Sequence, residues 1–180
     1  MNRKRLIEIL NNDKKNYFFE NEKKISFILN NSPRKYFYKY IISLRKYNYY
    51  NSKKNILSKI LAFIYFRKKN RIGVKVNLEI GTNDIGEDLK IHHQNIVINK
   101  NSKIGNHCIL HGNNCVGNNG NGIESPILSD NVELGFGSSV IGDVILAKGI
   151  VVGANSIVTK SFLEEDIVIA GNPARKMRKK

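Results

Sequence analysis

The chain has 180 residues, 41% of them hydrophobic and 25% charged, with a formal net charge of +15. That suits one globular domain with an appendage and a core of ordinary size. Two cysteines make neither a disulfide framework nor a zinc quartet, and no zinc knuckle or helix-turn-helix accompanies the basic charge, so specific nucleic-acid binding is not expected.

The first stretch, MNRKRLIEILNNDKKN, has an apolar run broken by Glu8, unlike a secretory signal. Residues 1–72 carry 19 of the 30 Lys+Arg and 4 of the 15 Asp+Glu, so the excess charge belongs to this segment alone. Its first 70 residues contain one proline and no glycine, and about three short helices are predicted. Ile25, Ile28 and Leu29 fit helical spacing. Ser32-Pro33 interrupts it, because the residue before proline disfavours helix. Ile56, Leu57, Ile60, Leu61 and Ile64 mark a last helix with Lys53, Lys54, Lys59 and Arg67 around it. That helix is amphipathic and basic, which permits peripheral membrane contact; packing against the rest of the chain is the plainer use. The apolar run ILSKILAFIYF (56–66) contains Lys59 and is too short to span a bilayer, so a cytoplasmic protein is expected, with the inner membrane face as an option.

Every glycine lies after Arg71, and there a new period begins. From Leu128 in steps of six come Leu134, Val140, Leu146, Val152 and Val158, all aliphatic. Four residues after each stand Val132, Ser138, Val144, Ile150, Ser156 and Phe162, mostly small or apolar. Ile98, Ile104 and Leu110 keep the step earlier, preceded by Ile85 and Ile91. No helix has a period of six, and a plain strand alternates by two. A six-residue unit fits a prism: each face is a short strand with its aliphatic residue inward, and three faces make one coil. Each coil leaves its apolar interior open until the next covers it, so several are required.

With that repeat in view, four stretches of 73–180 resemble the hexapeptide-repeat acyltransferases: LKIHHQNIVIN, KIGNHCILHGNNCVGNNG, LGFGSSVIGDVILAKGIVVGANSIVTKS and IVIAGNPARKM. Among these the chain looks most like the serine acetyltransferase branch, and especially its relatives that O-acetylate surface glycans of capsule and lipopolysaccharide type. The resemblance implies a left-handed parallel β-helix over 73–180; with the helical N-terminal segment (1–72) read from composition and spacing, an α+β chain is expected. It also implies a homotrimer with active sites between prisms, acetyl-CoA as co-substrate, and no metal.

Acetyl transfer to an alcohol needs a base, because a neutral hydroxyl is a poor nucleophile. A histidine in hydrogen-bond reach is typically worth about 10²–10⁴ in rate, and imidazole titrates near working pH. Aligned from the left through Gly86–Ile91, the family's base falls on His93. Aligned backwards from Ile96–Ile98 it falls on His92. The stretch is one residue shorter than the family's, so both cannot hold; His93 is preferred, since a deletion is easier in the loop than in the strand. His107 is expected to face solvent. The carboxylate that orients the base is unresolved among Asn77's place, Glu79 and Asp84. The resemblance gives Gly135, Gly137, Ala154 and Asn155 as backbone-type acetyl-CoA contacts, Lys160 and Arg175 as phosphate donors, and His111, Asn113 and Asn119 as acceptor-side residues.

True serine acetyltransferases place an Asp before the base and a His beside an Arg in the protruding loop. Here those places hold His92 (or Ile91) and, about where the loop histidine would stand, Ser125 in GNNGNGIESPILSD. Neutral asparagines suit sugar hydroxyls, so a glycan acceptor is the first expectation and free serine the alternative. A prism-fold carbonic anhydrase with three histidines on zinc does not match the histidine spacing. A non-catalytic binding prism is the remaining class.

Overall fold

The structure is a computed structural model describing residues 2–18, 32–120 and 122–180. Ile25, Ile28 and Leu29 lie outside the described residues. The chain divides into two compact units, 1–78 and 79–180.

The first unit contains α1 (Arg3–Lys15), α2 (Pro33–Asn51) and α3 (Ile56–Val76). Asparagine starts two of them: Asn2 Oδ1 accepts from the Arg5 N–H at 2.8 Å and Asn55 Oδ1 from Ser58 at 2.8 Å, each satisfying an orphan donor of the first turn. Ser32-Pro33 proves to be the start of α2, with proline at its first position, where no N–H is needed. Phe37, Tyr40, Ile41 and Leu44 of α2 form the small core with Tyr17 and Ala62. Beside them the Arg45 guanidinium donates to both Asp13 carboxylate oxygens, at 2.8 and 3.2 Å, with both side chains buried. The last helix passes through Gly73 to Val76, four residues beyond the compositional break at 72, and stops at Asn77 in the left-handed region (φ 49°). Gly73 is required there: a Cβ would meet the Leu78 carbonyl oxygen at 2.4 Å.

The second unit is a three-sided coil of parallel strands. One sheet stacks β1 (Leu78–Ile80), β3 (Ile96–Ile98), β6 (Cys115–Gly117), β9 (Ser139–Ile141) and β12 (Ile157–Val158). The second stacks β4 (Lys103–Ile104), β7 (Ile127–Leu128) and β10 (Ile145–Leu146). The third stacks β2 (Lys90–Ile91), β5 (Ile109–Leu110), β8 (Glu133–Leu134), β11 (Val151–Val152) and β13 (Ile167–Gly171), closed by antiparallel β14 (Ala174–Lys179).

The six-residue step is the core. Leu128, Leu134, Val140, Leu146, Val152 and Val158 are all essentially fully buried, as are Val132, Ser138, Val144, Ile150 and Ser156. Each such aliphatic side chain removed from water is worth about 1.5–3 kcal/mol, and the coils above and below help to cover it. Cys108 occupies the same inward row, and burial pushes its thiol up to about 12.

The register locates two departures. Leu134 stacks on Val152, 18 residues on, but Leu110 stacks on Leu134, 24 residues on. The extra six residues form the protruding loop between β6 and β7. Ile91 stacks on Leu110, 19 residues on, while Ile98 stacks on Val116, 18 on. The turn from Ile91 to Ile98 therefore holds one residue more than the repeat, and it is the turn with both histidines.

Candidate active site

One edge of the prism, where the third sheet turns into the first, collects the chemistry. The turns β2–β3, β5–β6, β8–β9 and β11–β12 lie in register along it. The His92 N–H donates to the Leu110 carbonyl (3.0 Å), His111 to Leu134 (3.0 Å) and Gly135 to Val152 (2.8 Å). One row of the edge is thus His92, His111 and Gly135; the neighbouring row is His93, Gly112 and Phe136.

Within the first row, His92 and His111 stack with ring centres 4.7 Å apart and planes 4° from parallel. His111 Nε2 lies 2.7 Å from Glu133 Oε1, from the coil above. Burial first, and then the nearby Lys90 and the rings of His111 and His93, hold His92 below the usual imidazole value, so its neutral form is favoured. A neutral imidazole is the form that accepts a proton.

In the second row, His93 meets Phe136 edge-to-face at 6.2 Å. Gly112 makes room beneath it: φ is +113°, and a Cβ there would lie 2.5 Å from His93 Cβ. The turn is fixed by Asn114, a buried amide whose Oδ1 accepts from the Gly112 N–H (2.9 Å) while Nδ2 donates to the Gly135 carbonyl (2.8 Å) and Ser138 Oγ (3.1 Å). Asn95 Nδ2 donates to Asn113 Oδ1 at 2.8 Å, so two left-handed asparagines (φ 64° and 52°) are clipped together beside the histidines.

Further along the edge stand the small residues. A Cβ at Gly135 would meet the Ala154 nitrogen and the Val152 carbonyl oxygen at 2.7 Å, and one at Gly137 would meet Asn155 Oδ1 at 2.1 Å. Close stacking of coils alone explains both glycines. The Asn155 N–H donates to the Phe136 carbonyl at 2.8 Å. The structure thus brings His92, His93, His111, Asn113, Gly135, Gly137, Ala154 and Asn155 to one edge. It sets Asn119 and Lys160 on the next, where the first sheet turns into the second; Asn119 lies close to Gly142 and Lys160 over the Phe162 ring. Arg175 lies on β14, opposite Ala170.

His107 is largely exposed and pairs with Asp88 at 2.8 Å. Asn77 serves as the α3 cap. Glu133, Phe136, Gly112 and Asn114 were missed by sequence reasoning. The six-residue frame held the signal for Glu133, since it precedes Leu134 as Ile109 precedes Leu110. Among the described residues no group of three or more His, Cys, Asp and Glu is placed to hold a metal ion, and no helix is long and apolar enough to cross a membrane.

No family model matches the chain. A curated serine acetyltransferase of Synechococcus elongatus is 28% identical over 94 residues, covering 51% of this chain; the chain spans only 38% of that relative's length. The serine acetyltransferase structure from Brucella abortus superposes with a TM-score of 0.74 at 16% identity, over 98% of this chain and 70% of that one. A serine acetyltransferase complex with CoA superposes at 0.71 and 20% identity, over 97% and 71%. These likenesses carry the fold: a helical N-terminal part followed by a left-handed parallel β-helix of hexapeptide repeats.

Proposed function

We propose that the chain is an acetyl-CoA-dependent O-acetyltransferase with a histidine general base on the prism edge. The observation that carries this reading is the alignment of the histidine turn with the small-residue turns along one edge. His93 takes the hydroxyl proton as the acceptor oxygen attacks the thioester carbonyl. The C–S bond then breaks, and the proton passes from the imidazolium to the CoA thiolate. Backbone N–H groups of the edge stabilise the oxyanion. His92, stacked on the Glu133-bound His111, buttresses the turn and is the second candidate for the base.

Gly135, Gly137, Ala154 and Asn155 line the thioester's path, with Lys160 and Arg175 reaching its phosphates from a neighbouring copy or the end of the prism. A homotrimer would bring two different edges together and unite Asn119 and Lys160 with the histidines.

Free serine is the first reading for the acceptor, because the Synechococcus elongatus relative and the superposed structures are named serine acetyltransferases. A glycan hydroxyl is the second reading, and one observation favours it: the loop 117–130 contains no Lys, Arg or His to grip a carboxylate, while Asn113 and Asn119 offer neutral partners.

The test is CoA release from acetyl-CoA with free serine and with a polysaccharide panel, using wild type, His93→Ala and His92→Ala. Loss of about 10²–10⁴ in His93→Ala is expected. Acetylserine as the only product removes the glycan reading, an acetylated saccharide alone removes the serine one, and no transfer to any acceptor leaves a binding prism.

A further inference from the structure

The outward face of α3 is left without use by the prism chemistry. Ser58, Ala62, Lys69, Ile72, Gly73 and Val76 turn inward. On the opposite side of the same helix the surface is apolar at one end and cationic at the other. Ile56 is 80% exposed, Leu57 68%, Phe63 59% and Val74 82%, with Ile60 and Ile64 half exposed between them. Arg67, Lys68, Arg71 and Lys75 continue the face. With Lys39 and Tyr36 of α2 they line an open groove of about 530 Å³ that also takes in Phe63, Ile64 and Ile72. Residues 32–78 contain thirteen Lys or Arg and no Asp or Glu.

We infer that this face docks on an anionic lipid bilayer, its isoleucines and Phe63 entering the acyl boundary and its arginines and lysines lying at the phosphate level. An exposed contiguous apolar patch marks an interaction surface, and Lys/Arg beside such a patch add electrostatic attraction to anionic lipid headgroups. Charge selects among occupants. A second copy of the same face would set cations against cations with no carboxylate between them. A nucleic acid would match the charge but leave Ile56, Leu57, Ile60 and Ile64 in water. A bilayer with acidic headgroups satisfies both halves at once. This inference is independent of which acceptor the prism uses.

The chain has no tryptophan, so Phe63→Trp in the full chain supplies a single reporter on the face. Its emission should shift to the blue with phosphatidylcholine–phosphatidylglycerol vesicles and stay put with phosphatidylcholine alone. In flotation assays the Arg67→Gln/Arg71→Gln chain should partition about 25-fold less, at about fivefold per cation. Ile60→Ser/Phe63→Ser should lose binding as well, with helix content unchanged by circular dichroism. Absence of any shift overturns the inference. So does a shift that appears on raising protein concentration without vesicles, which would name a second copy. Equal binding of wild type and Ile60→Ser/Phe63→Ser to vesicles would also overturn it, because charge alone would then suffice.

Discussion

Gly112 and His93 share one point in space: a Cβ on the glycine would lie 2.5 Å from that of the histidine, and the glycine's φ of +113° is one that side-chain-bearing residues rarely adopt. Gly112→Ala is expected to cost about 2 kcal/mol or more in urea unfolding, from strain and displacement together. Under the proposed mechanism, transfer falls with it as His93 is moved. Gly120→Ala separates the two causes. That site has φ +83° and, among the described residues, nothing within 4 Å of an added Cβ, so strain dominates, and a loss of about 1 kcal/mol with transfer retained is expected.

The His111–Glu133 pair is half exposed, with side-chain accessibilities of 34% and 32%. Its coupling in a double-mutant cycle with His111→Ala and Glu133→Gln should therefore be modest, about 0.2–1 kcal/mol. Its kinetic role is separable from stability. If His111 buttresses His92 and the turn, Glu133→Gln shifts the pH profile of transfer and lowers kcat more than it changes KM. A pH profile identical to wild type would leave the pair a surface ornament.

Two groups contribute to the acid limb of folding stability. His92 is held below its ordinary 6.5, chiefly by burial. The unfolded chain therefore binds the proton first, and this contribution is complete above pH 6.5 and lost as pH falls through the folded-state value. Asp130 is held below its ordinary 3.8, chiefly by the Asn106 backbone N–H and secondarily by its side chain. Its contribution is present above that pH and lost as pH falls through the still lower folded value. Urea midpoints between pH 8 and 2 should decline in both windows. His92→Gln flattens the upper one and Asp130→Asn the lower, the latter at a cost of about 1 kcal/mol at neutral pH.

Asp13 and Arg45 form a buried ion pair in the helical unit. Asp13→Ala removes this carboxylate from the buried guanidinium and should cost about 3–5 kcal/mol. Asp13→Leu/Arg45→Met should recover most of that loss, since exchanging a buried pair for packed apolar groups is often neutral. Thermal melts of the three chains give the comparison directly.

The prism was legible because its period is enforced residue by residue: the aliphatics from Leu128 to Val158 stack in register on their counterparts in the next coil, so none could drift. The histidine turn was only half legible. It is one residue longer than the chain's own repeat, and register within an irregular turn is set by contacts such as Gly112 beneath His93, which sequence does not display. Glu133 escaped notice because its partner is 22 residues away, a distance set by the inserted loop. Ser32-Pro33 was read as an interruption, although proline at a first helical position is also a beginning. Asn119 and Lys160, read as an acceptor-side residue and a phosphate donor, stand on the next edge, and the sequence alone did not show which edge a coil would carry them to.

The final strand gives the prism a boundary. Parallel sheets ending in an unpaired strand offer their backbone to any other strand that arrives, including the same protein's. Here β14 folds back antiparallel on β13 and presents Arg175, Lys176, Arg178 and Lys179 along an exposed run. Successive prisms that met end to end through this sheet would bring those cations into contact. The same reversal that covers β13 puts a row of cations on that edge of the third sheet, where a second copy of the edge would be repelled.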